Sequence, residues 1–222
     1  MPSVYSVPRR SLIIAAIAAS FAALLGNFAL AQKAPIKIVA FGDSLTAGYG
    51  LPAGSAFPDV LEKALRAAGE TGVSIDNAGV SGDTSTDGLA RLDWSVPDGV
   101  DAVILELGAN DMLRGVDPSI TRDALDKILA NLTSRHIHVL LAGMLAAPGL
   151  GDPYRRQFDA IYPDLAKKYG AILYPFFLDG IAGDRSLLLG DGMHPNRTGV
   201  DRVVAAILPT VRALVAQVRK AG

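Results

Sequence analysis

Ile36-Lys37-Ile38-Val39-Ala40-Phe41-Gly42-Asp43-Ser44-Leu45-Thr46-Ala47-Gly48 begins as an apolar run rich in β-branched residues and ends in a glycine, with a serine two positions beyond it. A further glycine comes next, and after it an amphipathic helical pattern begins. A strand buried on both faces of a parallel sheet has this composition. In open α/β sheets, ligands bind outside the carboxyl ends of the strands, which puts Ser44 where chemistry is expected. Most loop serines only cap helices or form turns, so Ser44 gains meaning from the residues that accompany it.

Strand-like and helix-like patterns alternate through the rest of the chain without a repeat, a charge run or a low-complexity linker. Strands are predicted at Ile36–Phe41, Val73–Asn77, Asp101–Leu107, Ile137–Gly143 and Ala171–Phe176. Helices are predicted near 56–68, 118–134 and 197–218, with Pro209 implying a bend in the last. A stripe of Phe158, Ile161, Tyr162, Leu165 and Tyr169 marks another helix, which Pro163 should kink or shorten. Such alternation predicts βαβ units in an α/β fold, a three-layer α/β/α sandwich on a five-stranded parallel sheet. The strand order 2-1-3-4-5 is assigned by analogy with flavodoxin-like sheets, because spacing alone leaves it open.

Four of the five predicted strands are succeeded by residues with chemical capacity. Gly42-Asp43-Ser44-Leu45 comes after the first, Ser81-Gly82-Asp83-Thr84 after the second, Gly108-Ala109-Asn110-Asp111 after the third, and Asp191-Gly192-Met193-His194-Pro195 lies past the fifth. A parallel sheet carries all of them to one rim. A serine hydroxyl is un-ionised at neutral pH and needs a base, and imidazole is suited to that task. His194 is the histidine placed in such a loop. His136 and His138, at the start of the fourth strand, read as structural or solvent-facing. Asp191 lies three residues before His194, so a tight turn can aim its carboxylate at the ring, although it also reads as a simple turn former. Donors for a tetrahedral oxyanion are available from the Gly82 N–H, the Asn110 carboxamide and the Ser44 N–H. Against these stand a left-handed glycine turn at Gly82 and an Asx turn at Asn110. Asp43 and Asp111 read as loop braces or caps, Asp83 with Thr84 as an N-terminal cap, and Trp94 and the tyrosines as packing.

These four blocks, in this order, resemble the SGNH hydrolases, also called the GDSL esterase/lipase family. The segments 81–85, 88–92, 160–163 and 175–177 are similar to the periplasmic arylesterase, acyl-CoA thioesterase and lysophospholipase branch. The resemblance implies Ser44 as nucleophile, His194 as base, Asp191 as its orienting partner, and Ser44, Gly82 and Asn110 as the oxyanion hole. It implies a serine esterase acting on small acyl esters or thioesters, with no cofactor and no metal. Residue 46 is Thr, so Ser44 lies outside the Gly-x-Ser-x-Gly elbow of α/β-hydrolases. A carbohydrate O-acetylesterase or acyltransferase on the same scaffold, and a non-catalytic lipid- or glycan-binding protein, are the alternatives. Leu145–Arg156 is expected to wall the acyl pocket. Arg155 and Arg156 read either as attractors of a phosphate-bearing head group or as solvated surface charges.

The N-terminus reads as an address. Arg9 and Arg10 precede an apolar stretch at 11–25, Ala29-Leu30-Ala31 gives a small-x-small cleavage pattern, and the first acidic residue is Asp43. Residues 1–31 are therefore predicted to be a signal peptide and 32–222 the hydrolase domain, periplasmic or secreted, with no stable membrane span after cleavage. A retained membrane anchor is the alternative, and Arg9-Arg10 also raises a twin-arginine route. The formal net charge of −1, without a basic patch, gives no electrostatic support for nucleic-acid binding. The absence of cysteine excludes disulfides, thiolate nucleophiles and Cys-ligated metal sites. Oligomeric state is not legible.

Overall fold

The computed structural model describes residues 35–221, so the predicted signal peptide at 1–31 lies outside the described residues. Five parallel strands, β1 (Ile36–Gly42), β2 (Val73–Gly79), β3 (Ala102–Glu106), β4 (His138–Ala142) and β5 (Ile172–Tyr174), form one sheet in the order β2-β1-β3-β4-β5. The predicted fold class and strand order are those observed. The apolar runs form central strands because both faces are covered. Ile38, Val39, Ala40 and Phe41 are buried, as is every residue of β3. Strand β5 is short and half-buried at the edge, which is why its predicted ends shrink by one residue and by two.

Register places the strand ends together. Gly42 pairs with Gly79 on one side and Glu106 on the other, Glu106 pairs with Ala142, and Ala142 with Tyr174. The turns beyond these ends therefore share one rim. The first is α1 (Ser44–Ala47), a single turn closed by Gly48. Gly79 lies so close to it that an added Cβ would fall on the Ala47 backbone nitrogen, so glycine here is a requirement of close approach.

One helical layer comprises α2 (Phe57–Ala67) packed against α8 (Arg197–Ala221). The other comprises α3 (Ser85–Ser95), α5 (Pro118–Ser134) and α7 (Ile161–Tyr169), with α4 (Ala109–Leu113) and α6 (Asp152–Asp159) at the rim. The predicted interruption near Pro163 appears as a break between α6 and α7. It falls at Ala160 because the proline ring clashes with the carbonyl four residues earlier, that of Asp159. Helix α8 instead runs through Pro209 without interruption. Ala205, which loses its hydrogen-bond donor there, lies on the exposed face where water can replace it.

Two expectations need correction. Trp94 is 75% exposed rather than packed, because α3 turns Ser85, Gly88 and Leu92 inward and leaves Trp94 on its outer side. Asp83 does not cap α3. Thr84 does so with Asp87 in a reciprocal box, while Asp83 pairs with Arg91 at 2.6 Å. Among the described residues, no helix is long and apolar enough to cross a membrane.

Candidate active site

Ser44 is the first residue of α1, directly after buried β1. Asp43 is the N-cap of α1, and its Oδ1 accepts the Leu45 N–H at 3.0 Å. That bond fixes the turn, and the Ser44 N–H is one of the orphan donors of the first helical turn. Beneath the turn, the Thr46 hydroxyl donates to Glu106 Oε2 at 2.8 Å.

His194 arrives from the far end of the chain on a loop that is braced at several points. Leu189 N–H donates to the His194 carbonyl at 2.7 Å, Leu188 bridges Pro195, and Asn196 Nδ2 donates to the carbonyls of Ser186 and Leu188. Asp191 organises the inside of that loop. Its Oδ1 accepts the Met193 and His194 N–H groups at 2.9 and 3.0 Å, and its Oδ2 lies 2.7 Å from His194 Nδ1. The two backbone amides, and then the ring, hold the Asp191 carboxyl down at about 2. As an ionised acceptor, Asp191 makes Nδ1 the protonated ring nitrogen. The Nε2 lone pair is thereby directed at Ser44 Oγ, 2.8 Å away. One carboxylate thus closes the turn through Oδ1 and faces the ring through Oδ2. Tyr49 lies over the imidazole with ring centroids 4.6 Å apart and planes tilted by 37°.

Gly82 and Asn110 line the same cleft as Ser44 and His194. Gly82 has φ of 91°, a left-handed backbone in the turn that follows β2, and Arg114 donates to its carbonyl at 2.7 Å. Asn110, on α4, donates from Nδ2 to Asp43 Oδ2 at 3.1 Å and to the Asp83 carbonyl at 3.0 Å. Asp111, the next residue, turns inward and accepts from Ser85 N–H, the Ser85 hydroxyl and the Thr121 hydroxyl, the brace expected of it.

A buried carboxyl pair supports this rim. Desolvation pushes the Asp43 carboxyl up to about 6, against the opposing pull of the Leu45 N–H, His194 and Asn110. Glu106 is fully buried, and burial, together with the nearby Asp43, pushes it well above the carboxylate range; its Oε1 has no hydrogen-bond partner. The sequence assigns no role to Glu106 or to Arg91. Glu106 signals itself as the lone charge in an otherwise apolar strand. Arg91 is seen only in three dimensions, where it reaches Asp83, the Gly42 and Ala78 carbonyls and the face of Phe41.

The cleft measures about 880 Å³ and is lined largely by apolar groups, among them Met112, Leu113, Met144, Leu145, Leu178 and Met193. The expected wall is present, with Leu145, Ala146, Ala147, Pro148 and Arg155 all on it. His136 and His138 instead line a separate cleft at the amino-terminal end of β4, away from this rim. Among the described residues, no group of three or more His, Asp or Glu side chains gathers to hold a metal ion.

The model of the GDSL-like Lipase/Acylhydrolase family matches residues 40–202. The chain is 37% identical to an arylesterase of Vibrio mimicus over 169 residues, 74% of this chain and 82% of that protein. It is 33% identical to esterase TesA of Pseudomonas aeruginosa over 184 residues, 82% of this chain and 91% of that one. The crystal structure of AlinE4, described as an SGNH-hydrolase family esterase, superposes with a TM-score of 0.68 at 48% identity, covering 81% of this chain and 96% of that one. A match across most of the chain, on a fold that brings all four motifs to one rim, places this protein in the GDSL-like lipase/acylhydrolase family, the SGNH hydrolases that act on esters.

Proposed function

We propose that this protein hydrolyses carboxylic esters or thioesters through an acyl-enzyme on Ser44. The observation that carries the proposal is the continuous hydrogen-bonded path from Ser44 Oγ to His194 Nε2, and from Nδ1 to Asp191. Ser44 Oγ attacks the acyl carbon while Nε2 takes its proton. Asp191 holds the ring in the required tautomer and stabilises the imidazolium that forms. The oxyanion is met by the N–H groups of Ser44 and Gly82 and by Asn110 Nδ2, which exchanges its bond to the Asp83 carbonyl for one to the reacting oxygen. The imidazolium then protonates the departing alcohol or thiol. Water, activated by the same Nε2, attacks the acyl carbon, and the acid leaves as Ser44 regains its proton.

The apolar lining of the cleft supports an acyl chain as the group lodged there. The relatives' names, arylesterase and esterase, support the ester as the reacting bond. For the address, we propose export with cleavage after Ala31. N-terminal sequencing of the protein recovered from a bacterial envelope fraction tests this, with Gln32 as the expected first residue. The reaction is tested with a fluorophosphonate probe. Wild type is expected to label and Ser44→Ala not to; equal labelling of both removes Ser44 as the nucleophile.

A further inference from the structure

Arg155 is the only arginine or lysine among the described residues lining the cleft, set beside Leu145, Ala146 and Pro148. Its guanidinium makes no hydrogen bond to the described residues; Nε is shielded from water, while the side chain as a whole is 41% exposed and its terminal nitrogens meet solvent. The nearest carboxylate, Asp152, stands 3.7 Å from one terminal nitrogen and is itself 76% exposed. Asp159, one turn further along α6 and also on the cleft wall, accepts the Ala146 N–H at 2.8 Å and forms no ion pair with Arg155. Arg91 and Arg135, also partly buried, each donate to backbone carbonyls. A guanidinium at the solvent edge of an apolar wall, with its Nε donor unmet and its terminal fork free of hydrogen bonds to the described residues, is placed to meet an incoming anion.

We propose that Arg155 is a substrate-binding residue that selects acyl esters or thioesters carrying an oxyanion, a carboxylate or a phosphate, away from the reacting carbonyl. The planar fork of terminal N–H groups matches such an oxyanion in a two-point contact, and the apolar wall screens the pair less than open solvent does. This inference rests on the hydrolase reading and adds the charge of the substrate to it. The oxyanion has two possible origins, the far end of the acyl chain or the leaving group.

The test uses two matched pairs of esters with the full-length protein. In the first, p-nitrophenyl hexanoate is compared with the p-nitrophenyl half-ester of adipic acid, which adds a carboxylate at the acyl end. In the second, monohexanoylglycerol is compared with its phosphate monoester, which adds the charge to the leaving group. In Arg155→Gln, kcat/KM for the anionic member of at least one pair is expected to fall roughly tenfold. The neutral member should stay within about threefold, as expected for a partly exposed charge. Arg155→Lys should restore part of the loss, and added salt should weaken the wild-type response. The pair that responds identifies where the oxyanion sits. An unchanged anionic-to-neutral ratio in both pairs, or equal losses on both members, overturns the inference while Ser44 still labels. Failure of wild type to label or to cleave any of the four esters overturns the hydrolase reading and this inference with it.

Discussion

Asn110 is occupied in the resting site, with both hydrogens of its amide nitrogen committed to Asp43 and the Asp83 carbonyl. Removing the carboxamide takes away the proposed oxyanion donor and one of the contacts that favour ionised Asp43. Asn110→Ala is expected to fold and to lose turnover by about a hundredfold, with a smaller change in KM. Unchanged turnover in a folded variant would remove Asn110 from the oxyanion hole. Glu106 supports a different prediction, concerning stability. Its carboxyl is pushed up on folding, so the folded protein holds a proton that the unfolded chain releases at lower pH. The stability linked to that proton is fully present below the unfolded value and is lost as pH rises through the folded one. Glu106→Gln has no such proton. The difference in melting temperature, variant minus wild type, should therefore become more positive from about pH 5 to about pH 9. A constant difference, or one that grows in acid, would show that Glu106 is not held protonated.

Helix α3 illustrates how an element can be essential to a site and yet leave little trace in hydrophobic periodicity. Its inward face is Ser85, Gly88 and Leu92, small residues for the most part that let it sit close against the sheet, so the usual apolar stripe is missing. From that position Arg91 donates to the Gly42 and Ala78 carbonyls at 2.9 Å each and pairs with Asp83, tying the ends of β1 and β2 to the loop that carries Gly82. Both partners of the ion pair are largely buried, with side-chain exposures of 11% and 14%. Arg91→Met is expected to cost about 3 kcal/mol in urea unfolding, since it strands Asp83 and two carbonyls. Arg91→Lys should recover only part, because an ammonium lacks the fork that reaches four acceptors, the Ser95 hydroxyl among them. A loss below about 0.5 kcal/mol for Arg91→Met would mean that the pair acts as a surface one.

At the scale of the whole molecule, the sheet aligns its strand ends and the loops beyond them enclose an apolar cleft beside Ser44 and His194. Leu145 lies on that cleft and is 45% exposed, so a charge there alters the lining without disturbing the core. Leu145→Asp is expected to lower kcat/KM for p-nitrophenyl octanoate about tenfold while leaving the acetate within about twofold, since only the longer chain buries methylenes there. Equal effects on both esters would place the acyl chain elsewhere.

Composition and periodicity alone determined the α/β class, the positions of the central strands and the set of residues at the rim. A strand buried on both faces must be an apolar run, and a parallel sheet must gather at one edge the loops that leave its strands. The order of the strands came from analogy, and tertiary structure confirmed it. Three things were decided only by folding. The Asp191–His194–Ser44 path closes across 150 positions of sequence, and no local pattern carries a distance of that kind. The roles of Arg91 and Glu106 depend on partners from other elements. The exposure of Trp94 depends on which face α3 turns inward, and packing against the sheet, not the residue's own hydrophobicity, sets that choice.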